Sequence, residues 1–306
     1  MKKETKWKLV LIASMILFGL LAITTRKVAD PIMSTGFLCM LRGLGGAIFV
    51  LLFRVLSGHM PDWKGMGKNF LLLALSGILL GVNWAMLFQS YLYMDTGIGS
   101  LCNYMAPMAV ILLSPIVFKE KLTWKKGLCV AVAFIGLILV SGLLTGGLTS
   151  KEGGNLGIGF AYGLTGAACY TMMYVLNKKM KGVSGYDRSI VQLFFAGLVM
   201  IPYILFFEGG FKPVQWNTSV IIWTLVIVVI QTGLVYSMYY GCIEYVSAQT
   251  TSIFAYIDPV MTVTLGILVL GESPNVVKII GAVLIIGAAV MSEIVDGLGK
   301  KPKEVA

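Results

Sequence analysis

GVNWAMLFQSYLYMDTGIGSLCNYMAP, residues 81–107, returns in character as GLVYSMYYGCIEYVSAQTTSIFAYIDP, residues 233–259. The offset is 152 residues: Gly81 meets Gly233, Trp84 meets Tyr236, Tyr93 meets Tyr245, Ser100 meets Ser252, Tyr104 meets Tyr256, and Pro107 meets Pro259. Moving outward, Phe18 meets Tyr170, Arg26-Lys27 meets Lys178-Lys179, Glu120 meets Glu272, and Lys126 meets Lys278. The repeated unit is almost wholly apolar. Duplicated sets of apolar helices are a common construction of secondary transporters.

The chain has 306 residues, of which 58% are hydrophobic and 12% charged. A soluble domain carries about a quarter charged residues, so the surface must face lipid, in keeping with a mean hydropathy of +0.87. Crossing the hydrocarbon takes about 20 apolar residues. Ten stretches qualify, near 7–25, 34–56, 69–91, 96–118, 124–143, 155–177, 186–207, 217–240, 246–270 and 275–295. Backbone in lipid must satisfy its own polar groups, so each is expected to be a helix. The expected fold is an all-α membrane protein of ten transmembrane helices in two five-helix repeats. The first repeat covers 1–145 and the second 155–297, with a short basic tail at 298–306. The basic start of the chain resembles a signal peptide, but no small-residue cleavage site follows Ile23, so it reads as a retained first helix.

Lysine and arginine set the orientation. With the N-terminus in the cytoplasm, eighteen of them fall in the cytoplasmic segments, counting Arg188, against five outside: Arg26, Lys27, Lys151, Lys212 and Lys278. Both termini are then inside. Five helices per repeat is an odd number, so the second repeat starts on the opposite face and the halves are inverted. Glycines four apart, such as Gly77 with Gly81 and Gly159 with Gly163, point to close helix packing within one subunit. A homodimer is left open.

The net charge of +10 sits in short clusters between apolar runs rather than on a basic aromatic face, which argues against nucleic acid. Cys39, Cys102, Cys129, Cys169 and Cys242 lie inside apolar runs, and His59 is the one histidine. That leaves little for a metal site or a catalytic centre. No phosphate-binding loop, dinucleotide fingerprint or nucleophile elbow is present. Neither a cofactor nor ATP hydrolysis is expected, and transport would be secondary.

A charge buried in a span costs about 2.5–3.5 kcal/mol on insertion scales. Arg42 in the second stretch and Asp258 in the ninth reach similar depth, and neither has a charged counterpart: Phe194 matches Arg42 and Ala106 matches Asp258. Either they form a fixed ion pair, or Asp258 takes a cation or proton while Arg42 takes a carboxylate or phosphate. Pro107 and Pro259, both read as mid-span, suggest paired helix breaks. Asn83, Trp84, Asn103, Tyr104, Tyr236 and Tyr256 cluster in the third, fourth, eighth and ninth stretches, whereas the fifth and tenth are nearly all aliphatic and small. Aromatic rings mixed with amides and hydroxyls suit a small organic solute.

The ten stretches, the inverted repeat, and the Pro107…Glu120 and Pro259…Gly271-Glu272 patterns resemble the EamA branch of the drug/metabolite transporter superfamily. The likeness runs over about 7–295. It implies a plasma-membrane carrier for small metabolites, often an exporter of amino acids or related compounds, working by alternating access. It implies a cavity between helices one to four and six to nine, with an arginine matched by Arg42 and an acid matched by Asp258. Glu120 and Glu272 match as well and read as helix-end or loop structure. A proton or other ion as coupling species is compatible with this. The alternatives are a passive channel or facilitator, a membrane enzyme, and a sensor or scaffold.

Overall fold

In a computed structural model, residues 3–25, 27–28, 32–94, 96–141, 143–146, 155–270 and 276–299 are described. The expectations placed on Arg26, Lys151, Gly271-Glu272 and residues 300–306 lie outside them. The described residues are helical, linked by short turns. The first half holds α1 (Lys3–Thr25), α2 (Thr35–Leu56), α3 (Trp63–Lys68), α4 (Phe70–Tyr93), α5 (Thr96–Asn103), α6 (Met105–Val117), α7 (Trp124–Val140) and α8 (Leu143–Gly146). The second half holds α9 (Leu156–Lys179), α10 (Gly185–Phe207), α11 (Thr218–Leu225), a π-helical segment (Val226–Leu234), α12 (Val235–Ile243), α13 (Ala248–Phe254), α14 (Ile257–Leu270) and α15 (Val276–Gly299). Polar residues between the apolar runs start the helices. Ser34, Thr123, Asn155, Ser184, Asn217 and Ser247 each accept a backbone N–H of the following first turn.

Helix occupies each of the ten apolar stretches. Among the described residues, six helical segments combine the length and apolar character needed to cross a membrane: Thr5–Thr25, Thr35–Leu56, Phe70–Tyr93, Ile98–Val117, Gly185–Phe207 and Thr218–Ile243. The others fall short for visible reasons. α7 has 17 residues, and α9 has 24 but is diluted by Gly157, Gly159, Gly163 and Gly166 and ends on two lysines.

The partition of side chains is that of a protein in lipid. Leu71, Ile116 and Phe206 are 78%, 79% and 82% exposed, while Asn83, Gln89, Asn177 and Gln192 are buried. A water-soluble fold would reverse this. α4 packs on α9 and α10, α2 packs on α10 and the π segment, α7 packs on α15, and α1 packs on α12 and α14. Several of these seams are close backbone approaches, α2 on α10 and α7 on α15 among them. A Cβ on Gly43 would lie 2.5 Å from the Gly197 Cα, and one on Gly136 would lie 2.7 Å from the Gly281 carbonyl oxygen.

Pro107 and Pro259 each follow a helix break instead of interrupting a continuous helix. The fourth stretch breaks at Tyr104 and the ninth at Ala255-Tyr256, so Pro107 and Pro259 each take the third position of the helix that follows. There a missing N–H costs nothing, because the first-turn donors have no intrahelical partner anyway. The carbonyl of Ala255, four residues before Pro259, instead accepts from Asp258 N at 3.3 Å.

Candidate functional site

The two breaks meet each other. Tyr104 stands between α5 and α6, and its hydroxyl donates to Asp258 Oδ2 at 2.9 Å, in the first turn of α14. The Tyr256 hydroxyl donates to the Tyr104 carbonyl at 3.4 Å. The residue pair that the repeat matches, Tyr104 and Tyr256, thus joins the broken helices, but the two do different work. Tyr104 reaches the half-buried acid. Tyr256 is wholly buried against Ala133, Leu137, Val260 and Ile285, in the layer with α7 and α15.

Arg42 is 6% exposed, and its Nε donates to Thr232 Oγ1 at 3.2 Å. Its guanidinium lies 4.7 Å from the centre of the Trp84 ring, a cation–π contact. Asp258 and Arg42 are therefore held by separate partners, and no ion pair joins them among the described residues. The fixed-pair alternative from the sequence does not describe this arrangement. Tyr236 lies within electrostatic reach of both charges. Around it, Phe18 and Trp84 approach edge-on at 5.1 Å and 6.2 Å, and Tyr240 lies at 5.6 Å.

Asn83 Nδ2 donates to Asn103 Oδ1 at 2.6 Å and to the Gly166 carbonyl at 2.9 Å, tying α4 to α5 and α9. Eight of the ten residues singled out in the sequence enter these contacts, and the two prolines begin the helices that carry them. A small cavity of about 10 Å³ lies beside them, lined by Pro107, Val110, Tyr170, Tyr174, Tyr239, Thr251, Ser252 and Ala255.

Two contributors escape sequence reasoning: Thr232, which holds Arg42, and Thr24, which donates to Gln231 Oε1 at 2.6 Å. Gln231 and Tyr239 belong to the polar and aromatic set that the eighth stretch shows in the sequence, and the Tyr239 hydroxyl pairs with that of Tyr170 at 3.0 Å. Thr232 and Gln231 sit in the π-helical segment, whose wider turn redirects side chains within an apolar span. A Gln-Thr-Gly triplet inside such a span was the available signal. No cluster of three or more His, Cys, Asp or Glu residues suited to a metal occurs among the described residues.

An apolar helical shell around a buried polar centre, with that centre at the crossing of two broken helices, defines a multi-pass membrane transport protein. The chain belongs to the EamA-like transporter family, whose model matches residues 5–142 and 157–293. An uncharacterized transporter, YxxF of Bacillus subtilis (strain 168), is 25% identical over 93% of this chain and 88% of its own. Protein PecM of Dickeya dadantii (strain 3937) is 24% identical over 81% of both chains. A crystal structure at 16% identity superposes with a TM-score of 0.82 over 97% of this chain and 99% of that one, which makes the fold a shared one. The protein is a transporter and not an enzyme, and its partners are the lipid bilayer and a small-molecule substrate.

Proposed function

We propose that the chain is a secondary carrier that exports small organic metabolites, amino acids or related compounds, by alternating access across the plasma membrane. Its ten helical stretches cross the bilayer as two inverted five-helix repeats, with both termini in the cytoplasm. Two observations support the repeat. The family model matches twice, at an interval of 152 residues. Helix partners also come in matched sets: α4 on α10 is mirrored by the π segment on α2, α1 on α14 by α9 on α6, and α4 on α9 by α12 on α1.

The observation that carries the function is the half-buried Asp258 carboxylate, held by Tyr104 where the two breaks meet, while Arg42 is held separately by Thr232 and Trp84. Opposite charges set apart around an aromatic wall suit a zwitterion, with its ammonium toward Asp258 and its carboxylate toward Arg42. The cavity of about 10 Å³ beside the site admits at most a water, whereas a metabolite needs about 300 Å³ or more. Passage requires the helices to move, which favours a carrier over an open pore.

The test compares metabolites in medium and cytosol of cells overproducing the parent protein or Asp258→Asn at equal membrane levels. A compound shifted by the parent alone names a candidate substrate and its direction. A shift that persists unchanged in Asp258→Asn removes the acid from the mechanism.

A further inference from the structure

Two charged side chains from distant parts of the chain hold the same turn from opposite ends. The turn joins α12 to α13. Glu120, in the turn after α6, accepts from Ala248 N at 2.8 Å and Gln249 N at 3.2 Å, the unpaired donors that begin α13. Lys178, at the end of α9, donates to the carbonyls of Ile243, at 2.7 Å, and Val246, where α12 ends. Both charges match the helix dipole they face, the anion at an N-terminus and the cation at a C-terminus. They also lie close enough to interact electrostatically with each other. Gln249 Nε2 adds a crossing bond to Ser114 Oγ of α6 at 3.0 Å. Lys119, at a left-handed φ of 58°, turns the chain out of α6 immediately before Glu120.

The clasp lies one helical turn from the small cavity lined by Tyr174, Tyr239, Val110 and Ser252. Tyr174 lies one helical turn inward of Lys178, Tyr239 one turn inward of Ile243, Val110 one turn inward of Ser114, and Ser252 one turn inward of Ala248. These four cavity residues come from the four elements that the clasp joins. The side involved is the one that the lysine and arginine count assigns to the cytoplasm.

We propose that Glu120, Lys178 and Gln249 are the cytoplasmic gate of this carrier, an inference that rests on the alternating-access reading. Opening toward the cytoplasm detaches Glu120 from the α13 amides and Lys178 from the α12 carbonyls. Water takes over these groups, which sit at the membrane surface rather than in hydrocarbon, so the exchange is reversible. α13 then swings with the ninth stretch about its break at Ala255-Tyr256, away from α6 and α9.

The test needs no known substrate. Ser252→Cys places a thiol in the cavity, and a membrane-impermeant maleimide is applied to vesicles of either orientation, with labelling read on the modified peptide by mass spectrometry. In Glu120→Gln and in Lys178→Met, labelling from the cytoplasmic side rises about tenfold, the scale set by losing a charge-assisted hydrogen bond. Labelling from the outside does not rise, and buried Cys129 on α7 stays unreactive, which separates gate opening from unfolding. Cytoplasmic labelling that stays at the parent level in both variants, or that rises equally from both sides, overturns the gate. The parent's own labelling from the outside reports alternating access independently, so that reading can stand or fall without the clasp.

Discussion

At the scale of residues, the contact between Tyr104 and Asp258 decides most about the site. A hydrogen bond to a charged group contributes about 1.5–3 kcal/mol. Removing this one leaves the half-buried carboxylate without its donor. Tyr104→Phe is therefore expected to cut flux of the identified substrate about tenfold or more, by the same scale, at unchanged membrane level. Initial rates in proteoliposomes measure it, and parent-like flux would reduce the bond to packing. Charge inside an apolar run picked out Arg42 and Asp258, because insertion cost is local to the sequence. Their partners, Thr232 and Tyr104, were not both legible, because partnership is set by which helices lie side by side. Arg188 makes the same point. Counted among cytoplasmic charges, it is 1% exposed and donates to the carbonyls of Val183, Asn177 and Met180. A charge near a span end can fold inward when backbone acceptors converge on it.

At the scale of elements, helix seams depend on glycines that the sequence shows only as small residues. Gly43 and Gly197 bring the backbones of α2 and α10 together, whereas a Cβ at Gly127 on α7 meets nothing within 4 Å. Gly43→Ala is expected to destabilise by about 1–3 kcal/mol through forced separation of the two helices. Gly127→Ala is expected to be neutral or slightly stabilising. Thermal unfolding of both variants in detergent compares them, and equal midpoints would remove close approach as the cause. The existence of these helices is legible in the runs of apolar residues. Pro107 and Pro259 point to the breaks, which fall about one turn before them, because a proline restricts what precedes it and so fits the first turn of a new helix better than the middle of an old one.

At the scale of the whole molecule, the inverted repeat proposed above makes a prediction that neither half makes alone. His59, after α2, and Phe211, after α10, are 152 positions apart and both exposed. Inversion places them on opposite faces. His59→Cys is expected to react with an impermeant thiol reagent only from the cytoplasm, and Phe211→Cys only from outside, in vesicles of known orientation. Labelling of both from one face would falsify the inversion. The sequence by itself determined that this is an all-helical membrane protein built on a duplicated pattern, and it marked two charges inside apolar runs. Those properties follow from transfer energies and periodicity, which are carried along the chain. Only the tertiary structure decided that the two breaks cross, that Arg42 and Asp258 keep separate partners, and that Glu120 and Lys178 close on one turn. Each of these joins residues roughly 60 to 190 positions apart, and such pairings arise from how helices pack, which no local stretch encodes.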